Sequence, residues 1–313
     1  MPAQHSPSTV RVVEVGPRDG LQNEAGRVPT GDKASLVRAL IAAGLPEIEL
    51  TSFVSPRWIP QLGDAAELLD VLAGDLPESV TFSALVPNAK GMERLLEANE
   101  AAVKATGRRA IDKVCLFTAA SETFSQKNTN ATIDETFERF APVAASAREH
   151  GLQLRGYVSC AFACPFEGVI AIDAVVRVAE RLAGDLGVDE VSIADTIGRA
   201  TPDDVTERMA ALGHLGTGTL NLHLHDTFDR AADCVVAGLR AGVRCFDGAV
   251  GGLGGCPYAS TPGKRAPGNI ATGTLVQTIE GDGFATGVDH AALGAARGLA
   301  DEFVAKARAG AAT

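Results

Sequence analysis

Along this chain, short β-branched runs alternate with longer segments in which apolar residues recur at helical spacing. The runs read "VRVVEVG" (10–16), "EIELTS" (47–52), "SVTFSALV" (79–86), "DKVCLFT" (112–118), "LQLRGYVS" (152–159), "DEVSIAD" (189–195), "TLNLHLHD" (219–226) and "VRCFDGAVG" (243–251). Each predicts a strand. The segments between them predict helices near 32–43, 64–73, 89–101, 132–150, 171–184, 202–213 and 229–241, with two more over 269–280 and 288–308. Several begin on side chains suited to accepting the free N–H groups of a first turn: Thr30 with Asp32, Thr132 with Glu135, and Thr201-Pro202 followed by Asp203 and Asp204.

Strand–helix units repeated in unbroken order over roughly 250 residues predict an α/β fold, a (β/α)8 TIM barrel forming one domain. The barrel is expected over about 10–280, with a helical C-terminal extension over about 281–310. A doubly wound sheet would carry G-x-G-x-x-G after its first strand, and the turn here, "GPRDGLQNE", matches it poorly.

Charge narrows the choice of partners. The formal net charge is −11 and there is no Lys/Arg-rich run, which argues against nucleic acid and anionic membrane surfaces. The apolar stretches fall short of the ~20 residues that span a bilayer. The first residues, "MPAQHSPST", have neither an apolar core nor an Arg-rich amphipathic pattern, so no targeting peptide is expected. Cys115, Cys160, Cys164, Cys234, Cys245 and Cys256 are scattered, which suits free thiols and a reducing, cytoplasmic setting.

A barrel gives meaning to polar residues at the C-terminal ends of its strands, the face on which active sites of this fold lie. Arg18 and Asp19 follow the first strand, Glu49 ends the second, Asp195 the sixth, and His223 and His225 the seventh. Cys256 lies in the glycine-rich loop after the eighth, and Asn269 opens the helix beyond. Taken alone, "HLH" also fits a strand with leucines inside and imidazoles in water. At a barrel mouth the spacing means more. Side chains two apart share a face, roughly 6.6 Å from Cα to Cα, so both imidazoles reach one ion. Asp19 offers a carboxylate and Asn269 an amide oxygen. Such a set suits Mg²⁺ or Mn²⁺, although two histidines and a carboxylate also describe non-haem iron oxygenases.

The motifs "VEVGPRDGLQNE" (13–24), "IELTSFVSPRWIPQLGD" (48–64), "SCAFACPFEG" (159–168), "ADTIGRATP" (194–202), "HLHDT" (223–227) and "GGLGGCPYA" (251–259) together resemble the 3-hydroxy-3-methylglutaryl-CoA lyase family. The wider group comprises the metal-dependent lyases and Claisen-type synthases built on a barrel with an Asp-Arg-Glu constellation, and "HLHDT" is shared by all of it. The resemblance runs from about residue 10 to about 290. It implies a divalent metal held by Asp19, His223, His225 and Asn269, an acyl-CoA substrate and a homodimer. It also implies retro-Claisen cleavage of a 3-hydroxyacyl-CoA to acetyl-CoA and a 3-oxo acid such as acetoacetate. Breaking the C2–C3 bond leaves a thioester enolate, for which Arg18 is the expected cation. The C3 hydroxyl must lose a proton, with Asp195 or His223 as acceptor. Cys256 is expected to deliver or relay a proton to the carbanion, Glu49 to orient Arg18 or metal-bound water, and Glu14 to support Arg18.

The chain departs from the family pattern in three places. After "GGCPYA" it reads "STPGKRAPGNIATGTL", a longer loop whose Lys264 and Arg265 are expected to meet a CoA phosphate or the distal carboxylate of the substrate. Gly273 and Thr274 replace an acidic pair there. Asp229 and Arg230 stand where the family has Gly and usually Gln, and an insertion is expected near 100–112. Competing readings are a Claisen-type synthase, a lyase for a citramalyl-CoA-like or isoprenoid-derived 3-hydroxyglutaryl-CoA, and an inactive acyl-CoA-binding homologue; "GGCPYA" favours the lyase.

Overall fold

The computed structural model describes residues 8–24, 26–255 and 268–311. Eight parallel strands close a barrel: β1 (Arg11–Glu14), β2 (Glu47–Ser52), β3 (Thr81–Leu85), β4 (Lys113–Ala119), β5 (Gln153–Ser159), β8 (Glu190–Asp195), β9 (Leu220–Leu224) and β10 (Cys245–Gly248). Each pairs with its neighbours around the ring, and β10 closes it against β1 with Arg11 opposite Cys245. A short antiparallel pair, β6 (Ala163–Cys164) and β7 (Gly168–Val169), follows β5 and was not expected from the sequence. Two-residue strands carry too little pattern to read.

The helices are α1 (Thr30–Ala42), α2 (Ala65–Leu72), α3 (Ala89–Thr106), α4 (Glu122–Thr129), α5 (Ile133–Glu149), α6 (Ile172–Gly184), α7 (Pro202–Leu212), α8 (Ala231–Arg240), α9 (Thr272–Gly281) and α10 (His290–Ala311). Thr132 and Thr201 cap α5 and α7 as expected, each accepting from the backbone N–H three residues on. Thr30 does not cap. It is already helical, and its hydroxyl donates to Asp64 at 3.0 Å. Helix α4 was missed because its eight residues are mostly polar, and α9 starts at Thr272 rather than 269. The segment read as an insertion near 100–112 extends α3 to Thr106, where Gly107 at φ 82 ends the helix.

Alternation along the strands sorts the core into two kinds. Val12, Ile48, Leu50, Phe82, Val114, Leu116, Leu154, Val158, Ile193, Leu222 and Phe246 belong to the large apolar core beneath the helices. At β5 the fit is so close that a Cβ on Gly156 would lie 2.8 Å from the side chain of Leu182 in α6. The opposite faces of the same strands carry Glu47, Glu49, Lys113, Arg155, Ser192, Asn221, His223 and Asp247, all buried. Among them Leu85, Cys115 and Tyr157 form a small apolar cluster with Phe117 against it, and Val13 also points inward, in register with Glu47 and Asp247. Barrels of this kind usually fill their interior with branched aliphatics; much of this interior is a network of paired charges. Among the described residues no helix is long and apolar enough to cross a membrane.

Candidate active site and metal centre

β1 ends in a five-residue π-type turn, Gly16–Gly20, that lifts Arg18 and Asp19 to the barrel mouth. β9 points Asn221 and His223 inward, and His225 continues on the same side just past the strand. A donor atom from each of Asp19, His223 and His225 lies within 4.8 Å of the others. The two imidazoles face each other through their Nε2 atoms, 3.3 Å apart. Two such nitrogens and a carboxylate, sheltered from water, are stable only with a proton or a cation among them, so the donors fit a divalent ion. Asn269 bridges to His225 through the backbone, and its amide Nδ2 donates to Asp19 Oδ2 at 2.8 Å. Its Oδ1 is buried and has no hydrogen-bond partner among the described residues. The same Nδ2 also donates to Leu253 O at 3.0 Å, so the nitrogen end of the amide faces Asp19, and Asn269 would need to turn over and give up both bonds to offer its oxygen to a cation.

Arg18 is buried between two carboxylates, with Nη1 2.9 Å from Asp19 and Nη2 2.7 Å from Glu49. Its guanidinium also lies over the ring of Tyr157, 5.8 Å from the centroid. Burial pushes the Asp19 carboxyl up, but Arg18 and the two histidines hold it down at about 2. Burial raises Glu49 above the ordinary range, against the pull of Arg18. Burial disfavours a charged His223, yet the hydrogen bond and charge of Asp247 bring it above its usual value. His225 has no such carboxylate; burial and its neighbour His223 depress it to about 4.

These groups form one end of a cavity of about 400 Å³ whose other walls include Leu85, Phe117, Phe140, Tyr157, Ser159 and Thr196. Trp58, 68% exposed, stands at its rim. Gly255 reaches the cavity as well, and its carbonyl accepts from Asn23 at 3.1 Å. Cys256, Lys264 and Arg265 lie outside the described residues.

Two expectations change. Asp195 does not face the cavity, whose lining includes Ala194 and Thr196 instead. Strand parity puts it on the helix side, where it accepts from the backbone of Arg199 at 2.9 Å and of Ala200 at 2.8 Å and organises the turn before α7. Burial raises its carboxyl to about 6, with those N–H groups opposing. Glu14 is displaced in the same way. It accepts from Gly16 N, Val250 N and the Thr272 hydroxyl and makes no contact with Arg18, whose partner across the barrel is Glu49. Both differences have one physical cause: each carboxylate falls on the outward step of its strand, the step it shares with Ile193 and Val12.

The same count would have found what the sequence reading missed. Tyr157 and Asp247 are on inward steps, two residues from Arg155 and Cys245. Tyr157 meets His223 edge-on, with ring centroids 5.9 Å apart and planes at 84°. Asp229 adopts φ 56, a left-handed turn conformation that non-glycine residues take up only with some strain.

Residues 9–299 match the HMGL-like family. The chain is 44% identical over 285 residues to the hydroxymethylglutaryl-CoA lyase of Pseudomonas mevalonii, covering 91% of this chain and 89% of that one. The HMG-CoA lyase structure from Brucella melitensis superposes with a TM-score of 0.87 at 42% identity, over 95% of this chain and 99% of that one. An HMG-CoA lyase from Acinetobacter baumannii, in complex with coenzyme A and 3-methylmalate, superposes with a TM-score of 0.84 at 35% identity, over 95% and 92% of the two chains. This eight-stranded barrel, with its donor cluster at the C-terminal mouth, belongs to the HMGL-like family.

Proposed function

We propose that this protein is a metal-dependent carbon–carbon lyase that cleaves 3-hydroxy-3-methylglutaryl-CoA to acetyl-CoA and acetoacetate. The observation that carries the reading is the juxtaposition of Arg18 with the Asp19–His223–His225 cluster in one cavity. The names of the relatives point to the same substrate. Asp19, His223, His225 and Asn269 would hold the cation, with Mg²⁺ or Mn²⁺ suited to this mixture of oxygen and imidazole donors. When bound, the ion supplies Lewis acidity that eases loss of the C3 hydroxyl proton.

Cleavage moves that proton off oxygen, turns the C3–O bond into a carbonyl and leaves the C2–C3 electron pair on the thioester enolate. Arg18 faces the developing negative charge. Its position is fixed by Glu49 and Asp19 before the substrate arrives, so little reorganisation is needed as the bond breaks. His223 offers one free lone pair, because Nδ1 is engaged by Asp247. Holding the cation and accepting the hydroxyl proton therefore exclude each other, and we assign His223 to the cation and the proton to water in the cavity. We assign protonation of C2 to Cys256, and contact with a CoA phosphate or the distal carboxylate to Lys264 or Arg265. Cys115, Cys164, Cys234 and Cys245 are free thiols, which agrees with a cytoplasmic protein; we assign it a homodimeric state. The enzyme should release acetyl-CoA and acetoacetate in equal amounts from 3-hydroxy-3-methylglutaryl-CoA with Mg²⁺ or Mn²⁺. Release from another 3-hydroxyacyl-CoA alone would move the substrate, and release from none would overturn the activity.

A further inference from the structure

We propose that Asp247 is a positioning residue: anchored by Arg155 and Asn221, it fixes the ring of His223 so that Nε2, and not Nδ1, faces the cation site. The inference rests on the metal reading above and extends it to groups with no place in the ligand set.

Asp247 and His223 are register partners on adjacent parallel strands and so point to the same face. Asp247 Oδ2 lies 3.0 Å from His223 Nδ1. Its other oxygen, Oδ1, accepts from Asn221 Nδ2 at 2.9 Å and from Arg155 Nη1 at 3.1 Å. All four residues are buried. An ionised carboxylate only accepts, so the hydrogen of a neutral His223 must sit on Nδ1, which leaves the lone pair on Nε2. The edge of the Tyr157 ring limits rotation of the imidazole from another side.

The anchor is itself fixed. Arg155 Nε and Nη2 bind Glu190 at 2.8 and 2.7 Å, and Nη2 lies 3.4 Å from Glu47. Lys113 holds both of those carboxylates, at 2.9 Å and 3.2 Å, and Arg11 closes the set from the barrel floor. A continuous line of charge-assisted contacts therefore runs from the closed end of the barrel to one imidazole at its mouth. His225 has no equivalent: its Nδ1 is buried and unpartnered among the described residues. Of the two histidines, His223 is oriented by the scaffold. Groups that orient metal-ligating histidines typically change metal affinity or activity about 10–100-fold when altered.

The rival role for Asp247 is to neutralise Arg155. Asp247→Asn separates the two. It keeps the size of the side chain, but a neutral amide can present either oxygen or nitrogen to the ring and no longer dictates its tautomer. Mn²⁺ dissociation constants from electron paramagnetic resonance should rise about 10–100-fold in the folded variant, and kcat should fall with KM little changed. A folded variant that binds Mn²⁺ within about twofold of wild type would overturn the proposal and leave only charge compensation. Should the variant fail to fold, the wild type still decides. Long-range ¹⁵N–¹H spectra of chelator-treated protein at alkaline pH, with His223 assigned through His223→Gln, should show hydrogen on Nδ1; hydrogen on Nε2 sinks the idea. A wild type that binds no Mn²⁺ would remove the metal reading itself, which the tautomer measurement distinguishes from failure of the positioning role.

Discussion

Arg18 carries its charge into a buried position, where Asp19 at 2.9 Å and Glu49 at 2.7 Å compensate for lost hydration. A guanidinium held this way acts best on charge that appears during the reaction, since its field is already oriented. Arg18→Gln should therefore lower kcat by on the order of 10²–10³ while KM changes much less. Steady-state kinetics check this, and a normal kcat with a raised KM would make Arg18 a binding residue. The histidines make a separate claim. His223→Ala and His225→Ala should each weaken Mn²⁺ binding at least about tenfold with the fold retained, and wild-type affinity should fall on acidification from a pH above the ordinary imidazole range, because Asp247 holds the His223 imidazole above its usual value and protons compete for it first. Mn²⁺ titrations at acidic and neutral pH, with circular dichroism as a fold control, test both statements.

Among the elements, the turn after β1 and the start of α9 are tied together by Glu14, which accepts from Gly16 N at 2.8 Å, Val250 N at 2.9 Å and Thr272 Oγ1 at 2.6 Å. It is fully buried with no cation beside it, and burial raises its carboxyl to about 7. The sign follows from linkage. Between its ordinary value near 4.5 and about 7, the folded chain holds a proton that the unfolded chain has lost, so this group makes the protein less stable as pH rises through that window. The full effect is up to ~3 kcal/mol. Glu14→Gln offers an oxygen to the two N–H donors and an N–H to Thr272, and lacks the ionisation. Its stability relative to wild type, from urea unfolding, should be higher at pH 8 than at pH 4.5; a difference constant with pH would show that Glu14 does not titrate in this range.

Across the whole molecule, the interior of the barrel depends on charge pairing to an unusual degree. Lys113 sits between Glu47 and Glu190, with Arg11 and Arg155 completing the set. Arg155, then Lys113 and Arg11, hold Glu190 well below the ordinary carboxylate range despite burial. A depressed carboxyl adds stability above its unfolded pKa and loses it as pH falls below about 4.5, opposite in sign to Glu14. Removing one buried partner strands the others, so Lys113→Met should destabilise the fold by about 3–5 kcal/mol. Thermal and urea unfolding measure this, and a change within about 1 kcal/mol would show that the remaining cations compensate alone.

The strand–helix alternation, the eight-strand count and the clustering of Arg18, Asp19, His223 and His225 at one mouth were legible in the sequence. Each depends on local period and on the general rule that barrel sites lie at strand C-termini. Alternation within each strand also pairs Asp195 with the face of Ile193 and Glu14 with that of Val12, toward the helices, and sets Tyr157 on the face of Arg155 and Asp247 on that of Cys245. Which inward groups meet was beyond it. That Arg155 of β5 reaches Asp247 of β10, 92 positions away, depends on strand stagger and closure of the ring. Local pattern sets the face a side chain occupies, whereas register between distant strands sets its partner. Burial then fixes the charge that partner must carry, because an unpaired ion inside the barrel costs more than the fold can absorb.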